Sequence, residues 1–158
     1  MDAKLLNIFI DAALNVIETM AFTKATADKA RLKQEKTTTG DVTGVIGLVS
    51  PDLKGNMVLS FEMSTILAIV NSMLGSNYKE INSDVVDAVG ELTNMICGAS
   101  KKGLSEYKGI SLDFAIPTTI VGKSMEINFQ SNVPVIEIPF TTDFGKFVID
   151  LTLGKSRI

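Results

Sequence analysis

The chain has 158 residues, 46% of them hydrophobic and 21% charged, with 15 Lys and Arg, 18 Asp and Glu, and no His. That is enough apolar material for one buried core, and a formal charge of −3 offers no overall electrostatic reason to bind a phosphate backbone or an anionic membrane surface. Without His there can be no Ser-His-Asp or Cys-His nucleophile and no His-rich zinc or iron site. The lone Cys97 can form no internal disulfide and no CxxC clamp, so it reads as a small apolar side chain. The longest apolar run, 66–70, is far short of the roughly 20 residues of a membrane span, and Asp2 and Lys4 stand where a signal peptide would turn apolar. We expect a single soluble, cytoplasmic domain over 1–158, with neither nucleic acid nor membrane as partner.

Over 2–21, Leu5, Phe9, Ala13, Val16, Ile17 and Met20 recur at spacings of three and four, which predicts an amphipathic helix. Segment 24–40 is polar, lacks a clear period and reads as a connection. Residues 42–49 are β-branched and Gly-spaced, 50–55 carry turn residues and 57–61 are apolar again, together a hairpin. Ser64 suits an N-cap for a helix that stops at Gly75. A second long helix is predicted at 84–102: Ser83 as cap, Asp84 and Asp87 near its positive end, Lys101 and Lys102 near its negative end, Gly103 as stop. Beyond Gly109 the chain reads as strands near 118–121, 125–129, 133–140 and 146–153, with breaks at Gly122, Asn132 and 143–145.

At an offset of 90 residues the chain resembles itself: Val45 and Ile46 match Val135 and Ile136, Gly55 matches Gly145, and Val58 and Leu59 match Val148 and Ile149. The expected fold class is α+β, a pseudo-symmetric duplicated helix-plus-hairpin unit whose strands merge into a mainly antiparallel sheet with long helices packed on one face.

On the second long helix a residue advances by about 100°, so that relative to Asp87, Glu91 lies near 40°, Asn94 near −20° and Gly98 near 20°. Val85, Val89, Leu92 and Ile96 fall on the opposite side and form the core face. Such a polar stripe is by itself the ordinary solvated side of a helix. Gly98, unfavourable in a helix by roughly 1 kcal/mol, leaves room for a partner surface to approach the backbone.

The spacing Asp87-x3-Glu91-x2-Asn94 resembles the Asp/Ser-x3-Glu-x2-Asn signature of the CheC/CheX/FliY family of chemotaxis phosphatases. Its place on the middle helix, between two hairpins, is similar to that family's pseudo-symmetric layout and covers nearly the whole chain. The first helix offers Asp11, Asn15 and Glu18 at corresponding spacings with amide and carboxylate exchanged, a degenerate site. With one intact motif, the chain is most similar to the CheX branch.

The resemblance implies a phosphatase for the aspartyl phosphate of a CheY-like response regulator, with Glu91 and Asn94 as catalytic residues and Asp87 and Gly98 in partner binding. It also implies no cofactor of the protein's own, Mg²⁺ being supplied by the phosphorylated partner. A neutral amide suits the placing of water beside a phosphoryl group, because it both donates and accepts without adding negative charge. Glu91 is assigned to a Lys in the partner's active site and Asp87 to docking. A non-catalytic module that docks a regulator or motor component through this helix is the alternative, and a structural or small-molecule-binding domain is a third class. A two-fold homodimer is implied as well, and we place it at the C-terminal part of the sheet: Pro134 and Pro139 suit a protected edge, whereas 146–153 has no Pro.

Overall fold

The computed structural model describes residues 2–130 and 132–155. In chain order its elements are α1 (Ala3–Ala21), β1 (Ala25–Ala27), β2 (Arg31–Lys33), β3 (Val42–Val49), β4 (Leu53–Phe61), α2 (Met63–Leu74), α3 (Ser83–Lys108), β5 (Asp113–Phe114), β6 (Thr118–Val121), β7 (Val135–Thr142) and β8 (Gly145–Lys155). Every strand pairing is antiparallel, and the sheet runs β1-β7-β8-β4-β3-β5, with β2 also on β7 and β6 also on β3.

The expected duplication is present. Hairpins β3–β4 and β7–β8 join through β4 and β8, where Leu59 pairs directly with Ile149, its counterpart 90 residues on. The other strands keep a different offset: Val45 pairs Val58 while Pro139 pairs Val148, so the structural counterpart of Val45 is Pro139, not Val135. The four residues 50–53 turn the first hairpin, whereas Asp143 and Phe144 alone turn the second, and the shorter turn shifts the register.

Segment 24–40 is a correction. It contains β1 and β2, which cross to the outer edge of β7, just as β5 and β6 cross to the outer edge of β3. Three-residue strands carry too little period to be seen in the sequence; only the edge they pair with reveals them. Segment 125–129 is likewise no strand and contributes one isolated bridge, Thr37 to Glu126. The expected edges are corrected too. β7 is covered by β1 and β2, and β8 lies between β7 and β4, so that residues 147–151 are paired on both sides and offer no free edge with which to build a dimer.

Met57, Leu59, Phe61, Phe147, Ile149 and Leu151 alternate onto the face that meets the helices, and Phe140 stacks on Phe147 with ring centroids 4.6 Å apart. The opposite face holds buried Asn56, Ser60, Glu137, Asp150 and Thr152. It is covered by loop and short-strand residues: Lys33 Nζ reaches Asp150 Oδ2 at 2.6 Å, and the Gln130 amide donates to Asn56 Oδ1 at 2.8 Å.

Asp2 caps α1 by accepting from the Leu5 amide at 2.7 Å, and Lys108 in the last turn of α3 pairs with the same carboxylate at 3.0 Å. These contacts hold the Asp2 carboxyl below the ordinary carboxylate range, the backbone hydrogen bond contributing most. The helix caps differ from expectation at three places. Glu62, not Ser64, stands at the N-cap of α2; its own side chain makes no cap hydrogen bond, and Asp41 Oδ2 instead accepts from the Met63 amide at 2.7 Å. Asn82, not Ser83, caps α3, accepting from the Val85 amide at 3.0 Å. α3 continues through Gly103 to the left-handed Gly109, at φ 63°. Gly103 marks a close approach and not a stop, since a Cβ there would lie 2.7 Å from Ile8 Cγ2 on α1.

Candidate active site on α3

The buried face of α3 comprises Val85, Ala88, Val89, Leu92, Thr93, Ile96, Cys97, Ser100 and Leu104, which includes all four expected core positions. Asp87 and Glu91 are therefore exposed and Asn94 half-buried. No side chain among the described residues forms a hydrogen bond or ion pair with any of the three. Their donors and acceptors are left to an incoming molecule.

Two features seat the helix. Next to Asn94, Thr93 turns inward and donates its hydroxyl to the Val89 carbonyl at 2.7 Å. Across from it β3 passes so close that a Cβ on Gly44 would lie 2.2 Å from Thr93 Oγ1. At the N-terminal end, Tyr78 donates its amide to Asn71 Oδ1 at 2.8 Å and its hydroxyl to Asp84, joining α2, the connecting loop and the first turn of α3.

Asp87, Glu91 and Asn94 come together along an open groove of about 520 Å³, with Val86 and Gly90 on the same helix. Its other wall is Ile116, Pro117 and Thr119, at the start of β6 and just before it. The sequence carries little trace of that wall. Its only signal was a Pro interrupting a β-branched run, because the pairing that carries it to α3 is long-range. Gly98 does not line the groove, and a Cβ placed there would meet nothing within 4 Å, so no described residue requires Gly at that position. Asp11, Asn15 and Glu18 are exposed on α1 and take no part in this groove.

Cys97 is buried with its Sγ 3.9 Å from Met57 Sδ, and burial pushes the thiol up to about 12, so it is a packing residue with no thiolate at neutral pH. Among the described residues no group of three His, Cys, Asp or Glu side chains could hold a metal ion, and no helix is long and apolar enough to cross a membrane.

The chain is thus an α+β domain of two interlocked hairpins, with a carboxylate and an amide one turn apart on its longest helix. The family model described as chemotaxis phosphatase CheX matches residues 42–141, and the chain belongs to that family. The CheY-P phosphatase CheX of Thermotoga maritima is 26% identical over 155 residues, covering 98% of this chain and 97% of that protein. A CheC-like superfamily protein from Shewanella sp. PV-4 is 39% identical, with TM-score 0.90 over 98% of this chain and 99% of that one. The CheX–CheY–BeF3–Mg²⁺ complex from Borrelia burgdorferi shares the fold at 22% identity and TM-score 0.78, over 94% of this chain and 96% of that one.

Proposed function

We propose that this protein dephosphorylates a CheY-like response regulator, with Asn94 placing the attacking water and Glu91 holding the regulator through its active-site Lys. The observation that carries the reading is the pair Glu91 and Asn94 on the rim of one open groove, with no hydrogen-bond or ion-pair partner among the described residues. The Thermotoga relative's description as a CheY-P phosphatase supports it.

An aspartyl phosphate is an activated acyl phosphate, and the regulator brings the Mg²⁺ and Lys that neutralise its charge. The helper's remaining task is orientation. The Asn94 amide accepts from and donates to a water, aligning it with the phosphorus opposite the acyl oxygen. The water oxygen bonds to phosphorus as the bond to the aspartyl oxygen breaks. Inorganic phosphate leaves with the water's proton balance passed to solvent, and the regulator's carboxylate is regenerated. A carboxylate in place of Asn94 would repel the phosphoryl oxygens, whereas Glu91, one turn away, serves as a cation's partner. Asp87, a further turn toward the N-terminus, belongs to docking.

The test is phosphate release from a phosphorylated regulator, which should rise in proportion to catalytic amounts of this chain. Binding without turnover would favour a non-catalytic docking module. As for assembly, we favour a two-fold dimer that leaves each α3 groove free. Sedimentation at micromolar concentration should give twice 17.0 kDa, and a mass near that monomer value would refute it.

A further inference from the structure

The wall of the groove facing α3 is built by a β-bulge. Phe114 pairs with Leu48 and Thr118 with Val45, so three residues, 115–117, oppose only two on β3. The Ala115 amide still donates to the Gly47 carbonyl at 3.1 Å, which leaves Ile116 and Pro117 as the segment pushed out of the ladder, and Pro117 has no N–H to give it. The result is an isoleucine 90% exposed on the rim of the groove that holds Glu91 and Asn94.

The opposite flank of the sheet tests whether the fold itself demands an apolar residue there. Between Ala27, paired with Phe140, and Arg31, paired with Glu137, three residues again oppose two, and the Asp28 amide donates to the Pro139 carbonyl at 2.8 Å. The middle residue of that bulge is Lys29, exposed to water. The same device thus accommodates a charged residue without difficulty. It carries a bare isoleucine only on the flank adjoining the helix with the intact carboxylate–amide order, and Lys on the other, where that order is exchanged.

We infer that Ile116 is a docking residue for the phosphorylated receiver domain, seated against an apolar patch of the partner beside its acyl phosphate while Glu91 and Asn94 engage the polar centre. This inference rests on the proposed function and adds to it a determinant of partner choice outside the signature motif. The occupant follows from continuity: whatever brings a phosphoryl group to Asn94 must fill the groove whose far rim is Ile116. An apolar anchor beside a charged pair gives affinity to a contact whose charges mainly give orientation.

Being exposed and bulged, Ile116 can be changed without touching the core. Binding of a beryllofluoride-loaded regulator should weaken about tenfold in Ile116→Ala and further in Ile116→Asp, as expected for losing one buried aliphatic side chain. KM for the phosphorylated regulator should rise in parallel with kcat unchanged, whereas Leu32→Asp, exposed on β2 across the sheet, should alter neither. If wild type binds and turns over the regulator and Ile116→Asp matches it within twofold, this inference falls and the proposed function stands. If wild type neither binds nor hydrolyses, both fall. A change of sedimenting mass in Ile116→Asp, with regulator affinity unaltered, would overturn the inference by making Ile116 a contact between copies of this chain.

Discussion

Asn94 and Glu91 act on the same partner in different ways, and their substitutions should separate accordingly. Asn94→Ala removes an amide that has no hydrogen-bond partner among the described residues, so the fold and regulator binding should persist while kcat drops by about a hundredfold or more. Glu91→Ala should weaken binding and flatten its salt dependence, since a charge pair has been deleted. Stopped-flow phosphate release and titration at two ionic strengths distinguish these outcomes, and equal losses in both would contradict the division of roles. Gly98 supplies a sharper residue-scale test. A Cβ there meets open space, so Gly98→Ala should stabilise α3 by roughly 0.5–1 kcal/mol and yet impair regulator binding. Thermal melting together with affinity reads both, and unimpaired binding would end its assignment to the partner surface. Asp87, Glu91 and Asn94 were all legible in the sequence because a helix's angular period is local. Ile116 was not, because it joins the site through a strand pairing more than 60 residues distant.

At the scale of elements, the groove depends on how closely β3 approaches α3. Adding a methyl at Gly44 drives it into Thr93 Oγ1, and Gly44→Ala should cost about 1–3 kcal/mol while displacing the turn that bears Asn94. Removing the hydroxyl in the Gly44→Ala/Thr93→Ala double variant should recover part of that loss, because the remaining Thr93 Cβ stands at 3.2 Å. A double-mutant cycle by denaturant unfolding measures the coupling, and additive losses would show that the two residues do not share one contact. Gly103 likewise takes its role from the packing of elements. In a linear sequence Gly103 resembles a helix stop, yet the helix needs it where α1 crosses, with Ile8 occupying the space of a side chain.

For the whole molecule, the buried polar face of the sheet links stability to pH. Asp150 lies beside Lys33, but burial outweighs that pairing and pushes its carboxyl up from 3.8 to about 6, with Glu137 adding to the rise; its Oδ1 has no partner among the described residues. A raised value means that the folded state holds a proton more tightly than the unfolded one. Its contribution is complete below about pH 4 and is lost as pH climbs through about 6, an amount of order 2–3 kcal/mol. Thermal unfolding from pH 4 to 7.5 should show this decline in wild type and not in Asp150→Asn; parallel curves would remove Asp150 as its source.

The sequence by itself determined the class of fold, the two long helices, both hairpins and the polar stripe on α3. Each of these follows from a period or a turn residue acting within some twenty positions. Only the tertiary structure decided that the segments before each hairpin cross to the edge of the other, closing β7 and β3 with strands too short to show a pattern. The same crossing turned 146–153 from an expected edge into a central strand and brought a bulge from β3's outer side to face Asn94. Short strands gain their hydrogen bonds from a partner far along the chain, so their existence depends on an edge that local residues cannot specify.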